Sequence, residues 1–474
     1  MKEPRLPPGS SDPLTYTCTC SSPNGLILLF YRYYNSPPTL TPSFTPAALA
    51  AFHSDLATRY QLAGKFRIAN EGFNITVGGS REGVGKYVRM CIAHESFAGL
   101  GLSLSEEQEG GGGEGGDVKE KGGQEEEWQF GPIAKKFFKP STGCSCAFSN
   151  LASVRIVEEI TPMGVSGYEP KWGTVERLSP EKFHELCSQK DDDDDDGGRC
   201  LIDVRNHYES RIGYFVDRGA PEGERVAIRP GIRRFAQWPK YASKFPAPPL
   251  SQSSSPENSN SNSNSKGNNE KGAEEEEETK KQKKKKKIIT YCTGGIRCEK
   301  GAHYLAEQLG PSAQICTLEG GIAAYLLWLQ DEIRHGRKTA SDSLFRGRNY
   351  VFDARGSLGI EGPAAHHHPV AKCHLCDTPA DALGKCETPG CHLILVVCGS
   401  CKEGGNRLVC CADCGQRGEG AEKRICLCEM RRETELWGEE EVRRWEEKAR
   451  MRKKKGGKAG DGGGEINIRV KRIE

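Results

Sequence analysis

The sequence predicts three consecutive parts: an α+β domain of the ferredoxin-like type, an α/β domain with a parallel sheet, and a small cysteine-rich module. Three observations support this division. The first third of the chain shows strand and helix patterns in the order βαββαβ. From about Thr174 onward, apolar strands alternate with amphipathic helices. After Pro363, cysteines recur in closely spaced pairs.

Composition limits the class of protein. The chain has 474 residues, enough for two or three domains, and its 67 basic and 65 acidic residues nearly cancel to a net charge of +2. The N-terminus is polar and proline-rich, without the apolar stretch of a signal peptide, and no run approaches the roughly 18 apolar residues of a membrane span. We therefore expect a cytoplasmic protein without a membrane partner, whose 21 cysteines act as metal ligands or catalytic groups rather than disulfides.

The first domain is predicted over residues 24–165, after a disordered N-terminus at 1–23. Its elements are a strand at 26–34, a helix at 45–62 capped by Thr45, strands at 65–69 and 73–79, a helix at 80–92 that starts at Ser80, and a last strand at 153–161. An acidic, glycine-rich insert at 103–128 interrupts this order. Such a composition buries too little apolar surface to fold, so we expect this insert to be disordered.

The second domain is predicted over residues 174–336. Its elements are a helix at 178–189, a strand at 200–205, a strand at 288–292, a helix at 298–310, a strand at 314–321 and a helix at 322–336. Inserts at 190–198 and 245–287 are expected to be disordered, which the domain tolerates because loop closure costs grow only logarithmically with length. A linker at 337–369, containing the stretch SLFRGRNYVFD, should follow.

The stretch IITYCTGGIRCEKGAHYLAEQLG at 288–310 places a thiol between a strand and a helix. The loop after Cys292 consists of Thr293, Gly294, Gly295 and Ile296, whose amides can curl into a nest around an anion. The helix N-terminus and Arg297 add positive charge, and both lower the pKa of a thiol. The pattern predicts Cys292 as a nucleophile and Arg297 as a fixed cation beside it. The alternative is a buried cysteine followed by a glycine turn.

These residues resemble the rhodanese family. The matching stretches are LIDVRNHYESRIG at 201–213, with Asp203, Arg205 and Glu209, the loop after Cys292, and LEGGIAAY at 318–325. The resemblance implies that Cys292 takes a sulfane sulfur as a persulfide, from a sulfur donor to a thiol acceptor. Phosphatases of this fold have one more loop residue, so the short loop favours sulfur chemistry. Cys298 could resolve a persulfide into a disulfide, or could simply pack at the helix start.

A narrower resemblance is to the tRNA uridine hydroxylase subgroup of rhodanese proteins, carried also by stretches at 68–84, 154–164 and 343–359. It implies oxygen-dependent 5-hydroxylation of the wobble uridine of tRNA. The alternatives are sulfur transfer from thiosulfate and a non-enzymatic adaptor. No flavin, haem or nucleotide motif is visible. Cationic stretches that could bind RNA are found at 135–139, 228–235 and 450–458.

The cysteine-rich module is predicted over residues 370–430. The predicted ligands are Cys373, Cys376, Cys386, Cys391, Cys398, Cys401, Cys411 and Cys414. Eight thiolates suit two tetrahedral, structural zinc sites, with the pairing left open. Cys410 could replace Cys411, and His374 or His392 could replace a thiolate, whereas Cys426 and Cys428 are expected to be extra. His366–His368 should be solvated, and 431–474 should form a charged helix and a disordered tail.

Overall fold

The computed structural model describes most of the three predicted parts. The described residues are 25–106, 128–165, 167–190, 198–220, 223–245, 286–360, 369–389, 391, 393–405, 407–417, 426–437 and 467–469. The N-terminus, most of the three low-complexity inserts, His366–His368, His392 and most of the charged C-terminal stretch lie outside these residues. Among the described helices, none combines the length and apolar content that crossing a bilayer requires.

The N-terminal domain packs helices against a six-stranded sheet. Its elements are β1 (Leu26–Tyr33), α1 (Pro46–Arg59), β2 (Ala63–Ala69), β3 (Gly72–Gly79), α2 (Arg81–Ala93), β4 (Leu104–Glu106), β5 (Trp128–Phe130), α3 (Pro132–Phe138), β6 (Ser141–Thr142) and β7 (Ala152–Ile156). Both predicted helix starts are present. The Thr45 side chain accepts from the amide of Ala48 at 3.2 Å, and that of Ser80 from Gly83 at 3.0 Å. The predicted ferredoxin-like class is confirmed.

The predicted last strand lies at an unexpected edge of this sheet. The strand order is β6-β1-β3-β2-β7, followed by a short strand at Asn467–Arg469. β3 lies between β1 and β2, and the other edge of β1 pairs with β6. β6 therefore supplies the final strand of the split βαβ arrangement. β7, the strand that the sequence predicts, instead extends the opposite edge, parallel to β2. The order of elements along the chain does not specify the edge at which a strand pairs.

One further expectation for this domain is corrected. The ends of the insert predicted as disordered at 103–128 form a small hairpin, because β4 pairs with β5 from Leu104–Phe130 to Glu106–Trp128. Trp128 is buried and its ring packs against Phe130. The cationic stretch at 135–139 is the last part of helix α3 and its C-cap. Residues 107–127 lie outside the described part of the chain.

The second domain has the predicted parallel sheet. Its elements are β8 (Glu176–Leu178), α4 (Pro180–Ser188), β9 (Arg199–Asp203), α5 (His207–Arg211), β10 (Gly213–Asp217), β11 (Arg225–Val226), α6 (Trp238–Lys244), β12 (Lys286–Tyr291), α7 (Ile296–Leu309), β13 (Ala313–Leu318) and α8 (Gly321–Arg334). The strand order is β8-β13-β12-β9, all parallel. β12 is therefore an inner strand, and its carboxyl end, where α/β folds place their functional loops, leads directly to Cys292.

The segment predicted as a linker at 337–369 is part of the fold up to residue 360. β14 (Phe345–Gly347) pairs with β10, and β15 (Asn349–Tyr350) pairs with β16 (Ser357–Leu358). Phe345 and Arg355 are buried. Glycine permits the tight pairing of Gly213 with Gly347, because a Cβ on Gly213 would lie 2.4 Å from the carbonyl oxygen of Arg348. Because this segment is rich in polar residues, its burial is not apparent from the sequence.

The C-terminal module is built from short hairpins and helices around cysteines. Its elements are β17 (Ala371–Lys372), β18 (Pro379–Ala380), β19 (Leu383–Lys385), β20 (Ile394–Val396), α9 (Gly399–Glu403), α10 (Ala412–Gln416), α11 (Leu427–Trp437) and β21 (Asn467–Arg469), the last pairing with β7. Leu395 and Val397 pack with buried cysteines in a single cluster. Of the charged helix and disordered tail predicted at 431–474, residues 431–437 form the end of α11, and 467–469 form a strand where disorder was expected; the rest lies outside the described residues.

Candidate active site

The loop after β12 folds around the sulfur of Cys292. The amide of Gly295 donates a hydrogen bond to Sγ at 3.1 Å. The amides of Arg297 and Cys298, in the first turn of α7, also donate to it. Gly295 has φ of 98°, a left-handed conformation that lets the chain reverse direction over the sulfur. Three main-chain amides therefore converge on one atom, which fits the predicted anion-binding nest.

The nest decides the protonation state of Cys292. The side chain is 0% exposed, and burial by itself raises the pKa of a thiol. A hydrogen bond from the Cys298 thiol, the charge of Arg297 and the two helix amides outweigh this effect and lower the pKa of Cys292 to about 6. At neutral pH the sulfur is consequently a thiolate, the form that acts as a nucleophile.

Arg297 is held in place by Glu209. Its two terminal nitrogens donate to the two carboxylate oxygens at 2.7 and 2.8 Å, and one of them also donates to Thr293 Oγ1 at 3.1 Å. The Thr293 hydroxyl donates to Glu209 at 3.1 Å. Glu209 is itself fixed at the start of α5 by the amide of Asn206. This buried, bidentate arrangement orients the cation and the first loop residue together.

Asp203 and Arg205 form a separate structural clip. The guanidinium of Arg205 lies 2.7 Å from the Asp203 carboxylate, and both side chains are fully buried. Arg205 also donates to the carbonyl of Gly213 at 2.6 Å, so the pair joins the end of β9 to the start of β10. The structure thus places these two motif residues in the frame of the domain, and Glu209 beside the loop.

The motif LEGGIAAY supports the loop from behind. The amides of Ile322 and Ala323, at the start of α8, donate to the carbonyls of Cys292 and Thr293, each at 2.9 Å. Gly321 makes this approach possible, because a Cβ there would lie 2.3 Å from the Cys292 carbonyl oxygen. The loop carbonyls are thereby turned toward α8, and the loop amides toward the sulfur.

Cys298 lies beside Cys292 at the start of α7. It is 0% exposed, and its side chain also interacts with Thr290 and Thr317. Burial, the hydrogen bond to Cys292 and the negative charge of that sulfur raise the pKa of Cys298 well above its usual value. The pair therefore consists of one thiolate and one thiol. This arrangement is compatible with both roles considered for Cys298, resolving a persulfide and packing at the helix start, and it adds a hydrogen-bond donor to the Cys292 anion.

The N-terminal domain covers the loop, which the sequence did not reveal. A Cβ on Gly294 would lie 2.9 Å from the Leu29 side chain, and a Cβ on Gly295 would lie 2.7 Å from the Tyr31 hydroxyl. The Tyr33 hydroxyl donates to the carbonyl of Ile296 at 3.3 Å. A signal was present, because β1 is apolar or aromatic on both faces, as is typical of a strand buried on two sides.

Lys139 brings a buried cation from the same domain. It is 5% exposed, and its Nζ donates to the carbonyl of Phe137 at 2.9 Å and lies 5.4 Å from the centre of the Tyr31 ring. Burial lowers the pKa of Lys139 to about 8, although the negative charges of Cys292, Glu319 and Glu299 oppose this effect. Its left-handed backbone at the end of α3 directs it away from the neighbouring lysines.

A cavity of about 500 Å³ opens next to the loop, lined by the N-terminal domain, the α/β domain and the segment at 349–359. The loop contributes Thr293, Gly294, Ile296 and Arg297 to its wall. Its cationic lining residues are Lys65, Arg67, Lys139, Arg297 and Arg355. Arg355 belongs to the segment that the sequence predicts as a linker. Its guanidinium lies 2.7 Å from the Asp353 carboxylate and donates to the carbonyl of Thr142 at 2.9 Å, and these contacts hold it in the cavity wall. Because Cys292 itself has no exposed surface, access to its sulfur requires movement of a covering residue.

The cationic stretches predicted to contact RNA have different positions. In the segment at 135–139, Lys135 pairs with Asp331 and Lys136 with Glu319, and Phe138 is buried in the domain core, so its ring does not form a stacking platform. In 228–235, Arg233 lies 3.5 Å from the buried Glu429. The stretch at 450–458 lies outside the described residues. Among the described residues of these stretches, Lys139 and Phe235 line the cavity, and Lys139 is the basic one.

The cysteines of the C-terminal module form three groups with the spacing of metal ligands, where the sequence predicted two sites. The groups are Cys373, Cys376, Cys398 and Cys401; Cys386, Cys391, Cys410 and Cys414; and Cys410, Cys411, Cys426 and Cys428. Cys410, rather than Cys411, completes the second group. Cys426 and Cys428, expected to be extra, belong to the third. Thiolate sets of this kind fit tetrahedral metal coordination. His374 belongs to none of these groups, and His392 lies outside the described residues.

Comparison with known families matches three successive regions. Residues 25–160 match the UPF0176 acylphosphatase like domain, 179–327 the rhodanese-like domain, and 346–415 the rhodanase C-terminal domain. The last match includes the segment that pairs with β10 and contributes Arg355. All three matched regions contribute residues to the cavity wall.

Individual relatives share these regions at low identity. The chain is 24% identical over 399 residues to Rhodanese-like domain-containing protein 6 of Arabidopsis thaliana, covering 83% of this chain and 53% of that protein. It is 28% identical over 265 residues to a tRNA uridine(34) hydroxylase of Chlamydia muridarum, covering 56% and 61%. It is 27% identical over 271 residues to a tRNA uridine(34) hydroxylase of Chlamydia abortus, covering 55% of this chain and 64% of that protein. The chain thus spans between half and two thirds of these relatives' lengths.

Proposed function

Because this chain carries a rhodanese-like domain together with a UPF0176 acylphosphatase like domain and a rhodanase C-terminal domain, we propose that it hydroxylates the wobble uridine of tRNA, with Cys292 as the nucleophile. The observation that carries this proposal is an amide-stabilised thiolate next to a cationic cavity that all three domains line. The names of the chlamydial relatives support tRNA as the substrate.

Hydroxylation of uracil at C5 requires a nucleophile that can add to C6, and a thiolate is suited to this addition. Addition of the Cys292 sulfur to C6 of uracil breaks the C5–C6 double bond and places an electron pair at C5. Dioxygen is then reduced by this carbon and by an external two-electron donor. Loss of the C5 proton and expulsion of the sulfur restore the double bond. Overall, uridine, dioxygen, two electrons and two protons give 5-hydroxyuridine and water.

The cavity supports a nucleotide as the group that enters. Lys65 and Arg67 are exposed on β2 and face it, whereas Lys139 and Arg355 are buried in its wall. Cations of this kind pair with phosphates, and the apolar wall contributed by Leu29 and Leu326 suits a base. A sulfur transferase acting on small anions would need no such cavity.

The direct test measures 5-hydroxyuridine in tRNA. The full chain, or its Cys292→Ser variant, is expressed in cells that lack their own hydroxylase, and tRNA nucleosides are analysed by mass spectrometry. We expect wobble 5-hydroxyuridine with the natural chain and none with the variant. Unchanged nucleosides, with both proteins folded and equally abundant, would contradict the hydroxylase assignment.

Sulfur transfer is the second candidate, and the Cys292–Cys298 pair favours it. A persulfide on Cys292 can be attacked by a neighbouring thiol, which forms a disulfide and releases the outer sulfur in reduced form. Incubation with thiosulfate followed by peptide mass spectrometry tests this: a persulfide on Cys292, with sulfur released only when Cys298 is present, supports it. Absence of the persulfide contradicts it, and the tRNA assay is independent of this result.

We further propose that the cysteine groups hold structural zinc and that the protein works in a reducing compartment, the cytoplasm. Within the cysteine groups, neighbouring sulfurs lie 3.0 to 3.8 Å apart, as thiolates around a shared metal ion would, and thiolate ligands of this kind persist in reducing compartments. Four thiolates per ion leave no open position for a reacting ligand, which supports a structural role.

A further inference from the structure

Seven cysteines at the end of the C-terminal module lie in one continuous cluster. They are Cys386, Cys391, Cys410, Cys411, Cys414, Cys426 and Cys428. They come from the β19 hairpin, the segment before α10, α10 itself and the start of α11. Within it two tetrads occur, and Cys410 is a member of both. Seven thiols cannot complete two separate tetrahedral sites, since those would need eight.

The distances around Cys410 identify it as the shared atom. Its sulfur lies 3.6 Å from Cys391 and 3.4 Å from Cys414 in the first tetrad, and 3.8, 3.5 and 3.5 Å from Cys411, Cys426 and Cys428 in the second. In a single tetrahedral site each sulfur has three sulfur neighbours, about 3.8 Å away for a metal–sulfur bond of ~2.3 Å. Five neighbours at this range exceed what one metal ion can explain.

We propose that these seven cysteines hold two zinc ions bridged by the Cys410 thiolate. One ion is bound by Cys386, Cys391, Cys414 and Cys410, and the other by Cys411, Cys426, Cys428 and Cys410. With the separate site at Cys373, Cys376, Cys398 and Cys401, the module holds three ions in total. This inference extends the zinc assignment and is independent of the reaction proposed for Cys292.

The charge balance favours a shared sulfur. Two separate four-thiolate zinc sites would carry four negative charges, whereas seven thiolates with two zinc ions carry three. Arg417 lies against this cluster: its guanidinium donates to the Cys414 sulfur at 3.4 Å and is 9% exposed. A buried cation donating to a thiolate stabilises the negative charge that remains.

The second ion has a structural consequence beyond the module. Cys426 and Cys428 flank the start of α11, and Glu429, in its first turn, is 1% exposed and lies 3.5 Å from Arg233 of the rhodanese-like domain. Arg233 also donates to the carbonyl of Cys391 at 2.8 Å. The two ions thus join α11 to the β19 hairpin, and Arg233 contacts both elements.

Metal counting and cobalt spectroscopy on the full chain test this proposal. The zinc content of the purified, reduced protein should be three ions per chain by elemental analysis and native mass spectrometry. After replacement by cobalt(II), coupling through the bridging sulfur should suppress the paramagnetic resonance of two ions and leave the signal of one. Two zinc ions per chain, or three cobalt ions with full signal, would overturn the bridge. No bound metal would overturn the zinc assignment as well.

Variants assign the ions to their sites. Cys426→Ser should release one ion and restore a full resonance signal from the two that remain, because the coupled partner is gone. The matched variant Cys376→Ser, in the separate site, should also release one ion but leave the coupled pair silent. Equal resonance signals from the two variants would overturn the proposal. The metal count and cobalt signal of the natural chain test the bridge without any substitution.

Discussion

Two buried cysteines, one within β13 and one just after β12, show what the loop does at the scale of single residues. Cys316 lies within β13, where burial and the nearby carboxylate of Glu176 raise its pKa to about 12. Cys292, just after β12, is equally buried, yet its pKa is lowered to about 6 because hydrogen-bond donors and Arg297 surround its sulfur. Burial is shared by both residues, so the difference comes from the donors.

Lys139 provides a residue-scale test of the cavity. Replacing it with methionine keeps the apolar stem but removes the charge, so we expect KM for tRNA to rise about tenfold with kcat changed less than about twofold, as for loss of one charge-assisted contact. Because the pKa of Lys139 is about 8, KM of the natural chain should also rise above that pH, and this rise should be absent in Lys139→Met. Steady-state kinetics across pH measure both effects.

Lys86→Met is the matched control for this experiment. Lys86 is a half-exposed lysine on α2 that pairs with Glu82. Its removal should leave KM and its pH dependence unchanged. Equal effects of the two substitutions would mean that Lys139 acts only through the overall charge of the protein.

At the scale of elements, the passage from β12 through the loop to α7 is the feature that the sequence predicts best. The thiol, the two glycines and the arginine specify a strand end, a tight turn and a helix start within a few residues. The N-caps Thr45 and Ser80 are equally local, and the structure has both. Local hydrogen bonds determine these features, so the sequence alone reveals them.

Pairing between distant segments was harder to predict. Neither the edge chosen by β7 nor the pairing of β14 with β10 follows from periodicity, since both depend on which exposed strand edge the chain meets. The third cysteine group was missed for a similar reason. Cys426 and Cys428 are 12 or more residues beyond Cys414 in sequence, and only folding of α11 brings them to Cys410.

Gly295 tests the loop at this scale. A Gly295→Ala change meets two obstacles: φ of 98°, and a Cβ 2.7 Å from the Tyr31 hydroxyl and 3.3 Å from Gly320. We expect the nest to open and activity to fall at least about a hundredfold, as when a donor to a catalytic anion is lost. Gly336→Ala is the matched control, with φ of 71° and no atom within 4 Å of its Cβ.

The control should lose about 1 kcal/mol of stability by denaturant unfolding and keep its activity, since it shares only the backbone strain. Full activity in Gly295→Ala would show that the geometry of this loop does not matter to the reaction.

At the scale of the whole molecule, the candidate active site is assembled from two domains and the segment that follows α8. The rhodanese-like domain provides the thiolate, the N-terminal domain provides Tyr31 and Lys139, and the segment after α8 provides Arg355. The α/β domain therefore contains the thiolate, whereas the other two regions complete the wall of the cavity. β1 carries apolar or aromatic side chains on both of its faces, and this is the one feature of the sequence that indicated the contact between the N-terminal domain and the loop after Cys292.

Lys300 joins two of these domains and tests the assembly. It is 1% exposed on α7 and lies 2.8 Å from both Glu71 and Glu159. Lys300→Met leaves two carboxylates facing each other, so we expect a loss of about 3 kcal/mol in unfolding free energy and faster hydrogen exchange at the β2–β3 turn. Lys171→Met, at an exposed lysine, should change neither. Unchanged exchange in Lys300→Met would mean that the domains stay docked without this ion pair.

The central claim is that the Cys298 thiol, the charge of Arg297 and main-chain amides together keep the Cys292 sulfur negatively charged at neutral pH. The most direct measurement is the ultraviolet absorbance of the thiolate, taken as the difference between the natural chain and Cys292→Ser while pH is varied. This difference cancels the cysteines that do not contact Cys292 and does not need access to the buried sulfur. The account predicts a midpoint at about pH 6. A midpoint at about 8.5 or above, where an ordinary thiol titrates, would contradict it.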